Sequence, residues 1–314
     1  MRNFANPAAR FGSVDVMLLV LVAVWGVNYT VIKDAIAGPA APFTPFAFNA
    51  IRFVVAALFL GGVLAWKRHA MIRSPRELLL LFGLGFIGNS LYQMLFILGV
   101  GRTSVASGAL ILATVPVIVA LFGALSRTER LAPISWLGII LSVAGIAVVV
   151  FASAAGASRE SSLAGDLLIL ASAIVWSVYT VLAAPLLKRY STTQVTALSL
   201  SAGTIPLVLV AIPDLSRTQW SAVPVSAWLA AFFSGTLALA VGYVAWNRGV
   251  KHLGGSRTAV YSNLTPLVAA AYAWATRGEA FTRYHLFGAI VVIAGINLTR
   301  VGRASSSVPL PAEE

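Results

Sequence analysis

The sequence contains no cysteine and very little charge. Without cysteine there is no disulfide, no thiolate nucleophile and no cysteine-based metal site. Asp, Glu, Lys and Arg together make up 10% of the chain, against roughly 25% in soluble globular domains. Too little charge is present to coat a water-facing surface. The three histidines, His69, His252 and His285, are widely scattered, so they offer no metal site. HExxH, GxSxG and paired-aspartate patterns are missing, as is any compact His/Asp constellation. The sequence therefore implies no enzyme and no cofactor.

What is present is apolar. Of 314 residues 59% are hydrophobic, and the mean hydropathy is +0.89. Ten runs are long enough to be membrane helices: 14–36, 44–67, 75–98, 104–126, 134–153, 163–187, 193–212, 226–249, 257–276 and 284–301. A helix crosses the hydrocarbon core in about 20 residues and satisfies its own backbone there. A β-barrel would show short alternating segments, and these runs do not alternate. The expectation is an all-α integral membrane protein with ten transmembrane helices. The run from Val14 is too long for a signal peptide and lacks a small-residue cleavage site. Residues 1–13 read as a segment outside the membrane, and 304–314 as a disordered tail. The short loops leave no room for a soluble domain.

A net charge of +12 suits either nucleic acid or a membrane charge bias. The basic residues fall in short clusters between apolar runs, which points to the membrane and away from nucleic acid. With a cytoplasmic N-terminus, 15 of the 22 Lys and Arg lie on the cytoplasmic side and six on the other, with Arg52 inside a span. That bias predicts both termini inside. Trp66, Trp136, Trp220, Trp228 and Trp274 fall near span ends, as interfacial residues should. Trp25, Trp176 and Trp246 fall deeper.

The two halves align at an offset of 150 to 151 residues. Asp15 matches Asp166, Trp25 matches Trp176, Gly99 matches Gly249 and Pro116 matches Pro266. Glu129 matches Glu279, Gly138 matches Gly288 and Gly145 matches Gly295. Each half, 14–153 and 163–301, holds five runs. Five is odd, so the second half would enter the membrane from the opposite side, an inverted repeat of the transporter kind.

Further stretches carry a resemblance: AVWGVNYTVIK at 23–33, FNAIRF at 48–53, SVASGALILATVPVIVALFG at 104–123 and RTERL at 127–131. GGSRTAVYSNLTPLVAAAYAW follows at 254–274. On these residues the chain resembles the drug/metabolite transporter superfamily, EamA-type exporters within it, over about Val14 to Val301. The resemblance implies a ten-helix inner-membrane carrier working by alternating access on amino acids, related metabolites or toxic organic compounds, often outward. The overall look is similar to bacterial exporters of aromatic amino acids.

Polar side chains are costly in hydrocarbon, so those inside the spans are candidate site residues. They are Asn28 and Tyr29, Asn49 and Arg52, Tyr92 and Gln93, Tyr179, Tyr243 and Asn247, and Tyr261 and Asn263, together with Trp25, Trp176 and Trp246. Trp25 shares a helix face with Asn28, Trp176 with Tyr179, and Tyr243 with Asn247. They suit an aromatic-walled cavity for an amphipathic solute, and they equally suit helix packing. Arg52 lies roughly 12 Å from the end of its helix. It can bind a substrate carboxylate or snorkel outward and hold the fold; the structural role is the preferred one here. Pro116 and Pro266 kink their helices as gates or as static bends. The acids Asp15, Asp34, Asp166, Glu129 and Glu279 all fall near span ends. Proton coupling and facilitated efflux both stay open. The expected partners are a small-molecule substrate and membrane lipid, and one protomer suffices. A nucleotide-sugar or organic-cation carrier, a lipid scramblase and an intramembrane enzyme are the alternatives.

Overall fold

A computed structural model describes residues 12–38, 41–67, 72, 74–125, 132–154, 162–278 and 282–304. The expected N-terminal segment and C-terminal tail lie almost wholly outside these residues, as do Glu129, Glu279, His69 and the RTERL stretch.

The described chain is helical throughout, in ten consecutive stretches. They are α1 (Ser13–Ile36), α2 (Pro45–Trp66), α3 (Pro75–Val100), α4 (Val105–Leu112 and Val115–Leu125) and α5 (Pro133–Ala154). They continue as α6 (Leu163–Arg189), α7 (Thr192–Arg217), α8 (Val225–Leu253), α9 (Gly255–Tyr261 and Thr265–Arg277) and α10 (Arg283–Ala304). Seven of them, α1 to α4 and α6 to α8, are long and apolar enough to cross a membrane. α5 and α10 run 22 residues each, and α9 is interrupted. The protein is all-α and multi-pass.

Starts and stops follow local chemistry. The Thr44 hydroxyl accepts the Ala47 N–H at 3.3 Å, with Pro45 following. The Ser104 hydroxyl accepts from Ser107 at 3.0 Å, and that of Ser162 from Gly165 at 3.1 Å. Ser191 and Gln194 bond each other's backbone, both at 3.2 Å. Each such cap satisfies a backbone donor that the helix itself cannot. Gly278 stops α9 in the left-handed region, φ 64°, where only glycine is unstrained.

Pro116 and Pro266 were expected to kink continuous helices. Each instead stands in the first turn of a restarted helix, after Ala113–Thr114 in α4 and after the 3₁₀ turn Ser262–Leu264 in α9. A first-turn proline has no intrahelical N–H bond to lose. α7 runs five residues beyond its expected end and carries Pro206 and Pro213 inside it. α3 and α8 each contain a π-helical turn, Phe86–Leu91 and Ser234–Val241.

Packing partners pair off under the sequence repeat. α1 lies on α9 and α8, while α6 lies on α4 and α3. α2 lies on α8 and α7 on α3; α2 meets α7, and α5 meets α10. The last contact is intimate: a Cβ on Gly145 would fall 2.8 Å from Val292, and one on Gly295 2.5 Å from the Gly138 carbonyl. Small residues allow this closeness, the usual device where both helices sit in lipid. The outer surface is a band of exposed Leu, Ile, Val and Phe. The tryptophans divide as expected, with Trp66 at 83% exposure and Trp176 and Trp246 at 4% and 2%.

Candidate functional site

The centre of the bundle encloses a cavity with about 630 Å³ free of protein atoms, its mouth included. Nine of the expected residues line it: Trp25, Asn28, Tyr29, Arg52, Tyr92, Gln93, Trp176, Tyr243 and Trp246. They come from α1, α2, α3, α6 and α8, and α4 and α9 close the wall.

The aromatic rings form one continuous cluster. Trp176 is its hub, 4.8 Å from Tyr92, 5.0 Å from Tyr243, 5.6 Å from Trp246 and 6.2 Å from Trp25 by ring centroids. Trp25 and Trp246 lie 5.4 Å apart. Edge-on and tilted pairs at such distances are attractive beyond the area they bury. The Trp25 indole donates to the Ala238 carbonyl at 2.9 Å, inside the π-helical turn of α8.

Arg52 does not snorkel. It is 1% exposed and points inward, donating to Asn49 Oδ1 at 2.9 Å, to Ser234 Oγ at 3.1 Å and to Gln93 Oε1. Gln93 in turn donates to the Tyr243 hydroxyl at 2.7 Å. Gln93 and Tyr243 are repeat mates, 150 residues apart, so equivalent positions meet at the centre; Trp25 and Trp176 do the same. Four polar atoms on the wall are buried without a hydrogen-bond partner among the described residues: Asn28 Oδ1, Tyr29 Oη, Thr265 Oγ1 and Trp246 Nε1. Unpaired buried polar atoms are rare and costly in settled cores, and others, such as those of Asn89 and Ser142, lie away from this wall.

The other candidates do not line the cavity. Asn49 acts through Arg52. Tyr179 lies behind Trp176, stacked at 5.0 Å, and its hydroxyl accepts from Asn247 at 3.0 Å. Asn247 also donates to Thr196 at 2.9 Å. Thus Trp25 and Asn28 both face the cavity, while in the pairs Trp176/Tyr179 and Tyr243/Asn247 only the first member does. The ring of Tyr179 packs so closely on Gly88 that a Cβ there would fall 2.1 Å from it. Tyr261 turns to the bundle end and donates to the Asp15 carboxylate. Asn263 is partly buried in the 3₁₀ turn beside Pro266. Lining residues outside the sequence expectation are Phe96, Ser262 and Thr265, with apolar positions of α4 and α8. Phe96 was within reach, being the repeat mate of Trp246.

Polar contacts also tie the bundle ends. Asp15 joins α1 to α9 through Tyr261, and its repeat mate Asp166 joins α6 to the start of α4 by accepting from Thr103. Lys33 donates to the Thr103 carbonyl at 2.7 Å, and Arg277 pairs with Asp34. At the α6–α7 corner the Glu77 carboxylate accepts from Arg189 at 3.1 Å and from Tyr190. That second bond pushes the Tyr190 phenol above its ordinary pKa. No group of acids and histidines suited to a metal ion occurs among the described residues.

The described residues thus form a multi-pass helical bundle with an aromatic-walled cavity. The chain belongs to the EamA-like transporter family, whose model matches residues 12–151 and again 163–301. It is similar to the "Uncharacterized transporter YyaM" of Bacillus subtilis, 26% identical over 81% of this chain and 84% of the relative. It is also similar to the "Probable terminal-alkyne amino-acid exporter" of Streptantibioticus cattleyicolor, 29% identical over 88% of this chain and 92% of the relative. A solved crystal structure shares the fold at TM-score 0.65 and 20% identity, covering 92% of this chain and 99% of its own. The protein is thus a membrane transporter of small molecules, not an enzyme.

Proposed function

We propose that the protein is an alternating-access carrier exporting small amphipathic metabolites, amino acids including aromatic ones among them. The observation that carries this is the wall of the cavity. Large aromatic faces suit an apolar side chain, while Arg52, Asn28, Tyr29 and Thr265 supply separate polar groups. Contacts spread over many rings bind a solute without holding it fast. The name of the Streptantibioticus relative, an amino-acid exporter, agrees with the reading. The buried positive charge of Arg52 weighs against an organic cation.

In this reading all ten helical stretches span the membrane as two inverted units, 14–153 and 163–301, with both termini inside. The double match of the family model and the paired packing partners support it. Repeat mates meeting at the cavity give the mechanism. If the two halves differ slightly in shape, exchanging those shapes moves the opening from one face to the other. The Asp15–Tyr261 and Asp166–Thr103 contacts, both made in this structure, are ties that such an exchange would have to open. One protomer encloses the pathway. Because these acids lie at the bundle ends and not beside the cavity, facilitated efflux and proton coupling are both open as the driving mode.

The test is flux in proteoliposomes holding purified protein, with aromatic and aliphatic amino acids and organic cations as probes, with and without a pH gradient. Saturable flux of amino acids is expected. Saturable flux of organic cations alone would overturn the substrate class.

A further inference from the structure

Arg52 is the one charged side chain on the cavity wall. It is buried, yet its three hydrogen bonds go to neutral oxygens, those of Asn49, Gln93 and Ser234. The Phe48 and Phe53 rings, 5.8 and 5.9 Å from its guanidinium carbon, add only a quadrupole. Among the described residues no carboxylate reaches it; the ion pairs there, Arg189–Glu77 and Arg277–Asp34, stand at the bundle ends. A buried charge facing only dipoles is poorly compensated.

The guanidinium has five N–H groups. Nε is used by Asn49, and one hydrogen each of Nη1 and Nη2 is used by Ser234 and Gln93. One N–H remains on each terminal nitrogen, the number a carboxylate takes in a two-point contact. The three neutral partners fix the plane of the group without neutralising it. Fold support alone needs no unneutralised charge beside an empty volume.

We propose that Arg52 takes the free carboxylate of the transported solute, so that the cavity selects carboxylate-bearing molecules and rejects organic cations. The proposal rests on the reading of the cavity as the substrate site and sharpens it. A cation lacking a carboxylate would meet a like charge in a low-dielectric pocket, where repulsion is little screened. A neutral amide would leave the guanidinium uncompensated.

The test compares phenylalanine, N-acetylphenylalanine, phenylalanine amide and phenethylamine. Binding is read by intrinsic tryptophan fluorescence in detergent, and flux by counterflow in proteoliposomes. The two carboxylates are expected to bind about 10- to 100-fold more tightly than the amide and the amine, the range for a charge-assisted hydrogen-bonded contact. Arg52→Gln removes the difference. Should Arg52→Gln fail to fold, Gln93→Glu decides, because it keeps the arginine and sets a carboxylate against it; carboxylate binding then falls and amine binding rises. Equal binding of all four probes to the unaltered protein, or an unchanged order in Gln93→Glu, overturns the proposal. Flux indifferent to the carboxylate leaves the carrier reading standing and sinks this one. Carboxylate-selective binding without flux does the reverse.

Discussion

Adding one methyl group at Gly88 should unsettle the cavity from behind. The Cβ of alanine there would stand 2.1 Å from Cδ2 of Tyr179 and 2.4 Å from Cγ, against about 3.5 Å for carbons in contact. The ring has nowhere to retreat: it is fully buried, stacks on Trp176 at 5.0 Å and is held at its hydroxyl by Asn247 at 3.0 Å. Overpacking of this kind costs about 1–3 kcal/mol. In an unhindered helix, glycine to alanine stabilises by ~1 kcal/mol, so the sign of the change is itself diagnostic. Thermal unfolding of purified Gly88→Ala in detergent should show a clear loss, and proteoliposome flux should fall as Trp176 is displaced. In a Tyr179→Ala background the methyl has room, so the second substitution should cost little and the cycle should show coupling of ~1–3 kcal/mol. An unchanged or raised melting temperature for Gly88→Ala, or strict additivity, would refute the close packing.

Other substitutions test other parts. Trp25→Ala and Trp176→Ala should sharply reduce saturable flux while membrane insertion persists; normal flux in both purified variants would dismiss the aromatic wall as mere packing. Asp15→Asn and Tyr261→Phe should each loosen the tie between α1 and α9 and lower the melting temperature, because either removes the same hydrogen bond. The double variant should be little worse than either alone in a denaturation series. Gly295→Leu should lower folded yield by separating α10 from α5, measurable by size-exclusion recovery. Asp34→Asn should change stability by less than about 1 kcal/mol, because the carboxylate it removes is more than half exposed where it meets Arg277.

Helix positions were legible because lipid demands long apolar runs, and nearly every expected boundary lies within a few residues of the observed one. The Trp25–Asn28 face was legible from spacing alone. Spacing failed for Tyr179 and Asn247, because both lie at helix contacts where a small rotation decides between cavity and neighbour. There the Asn247 amide donates to the Tyr179 hydroxyl and to Thr196. The outward reach expected of Arg52 failed for a related reason, while the hold on the fold expected with it agrees with its bonds to α3 and α8. Its partners come from α3 and α8, far away in sequence, and an isolated arginine on an isolated helix would indeed seek the surface. Phe96 was overlooked because an unremarkable phenylalanine draws no notice until its mate is a buried tryptophan. Pro116 and Pro266 were expected as gates or bends, and each stands beside a break in its helix. A restart beside a proline leaves no mark in hydropathy.

The π-helical turns of α3 and α8 change how the cavity can move. Each is a helix holding one residue too many, a dislocation in an otherwise regular lattice. Phe86–Leu91 lies just before Tyr92 and Gln93, and Ser234–Val241 just before Tyr243 and Trp246. A dislocation can glide by one residue while both helix ends stay fixed. Each step turns the side chain it passes by about 100°, one residue's share of a helical turn. Rings on the wall can therefore be reoriented without a hinge loop and without pulling either helix out of the bilayer. Because one defect sits in each half, the same glide is open to both.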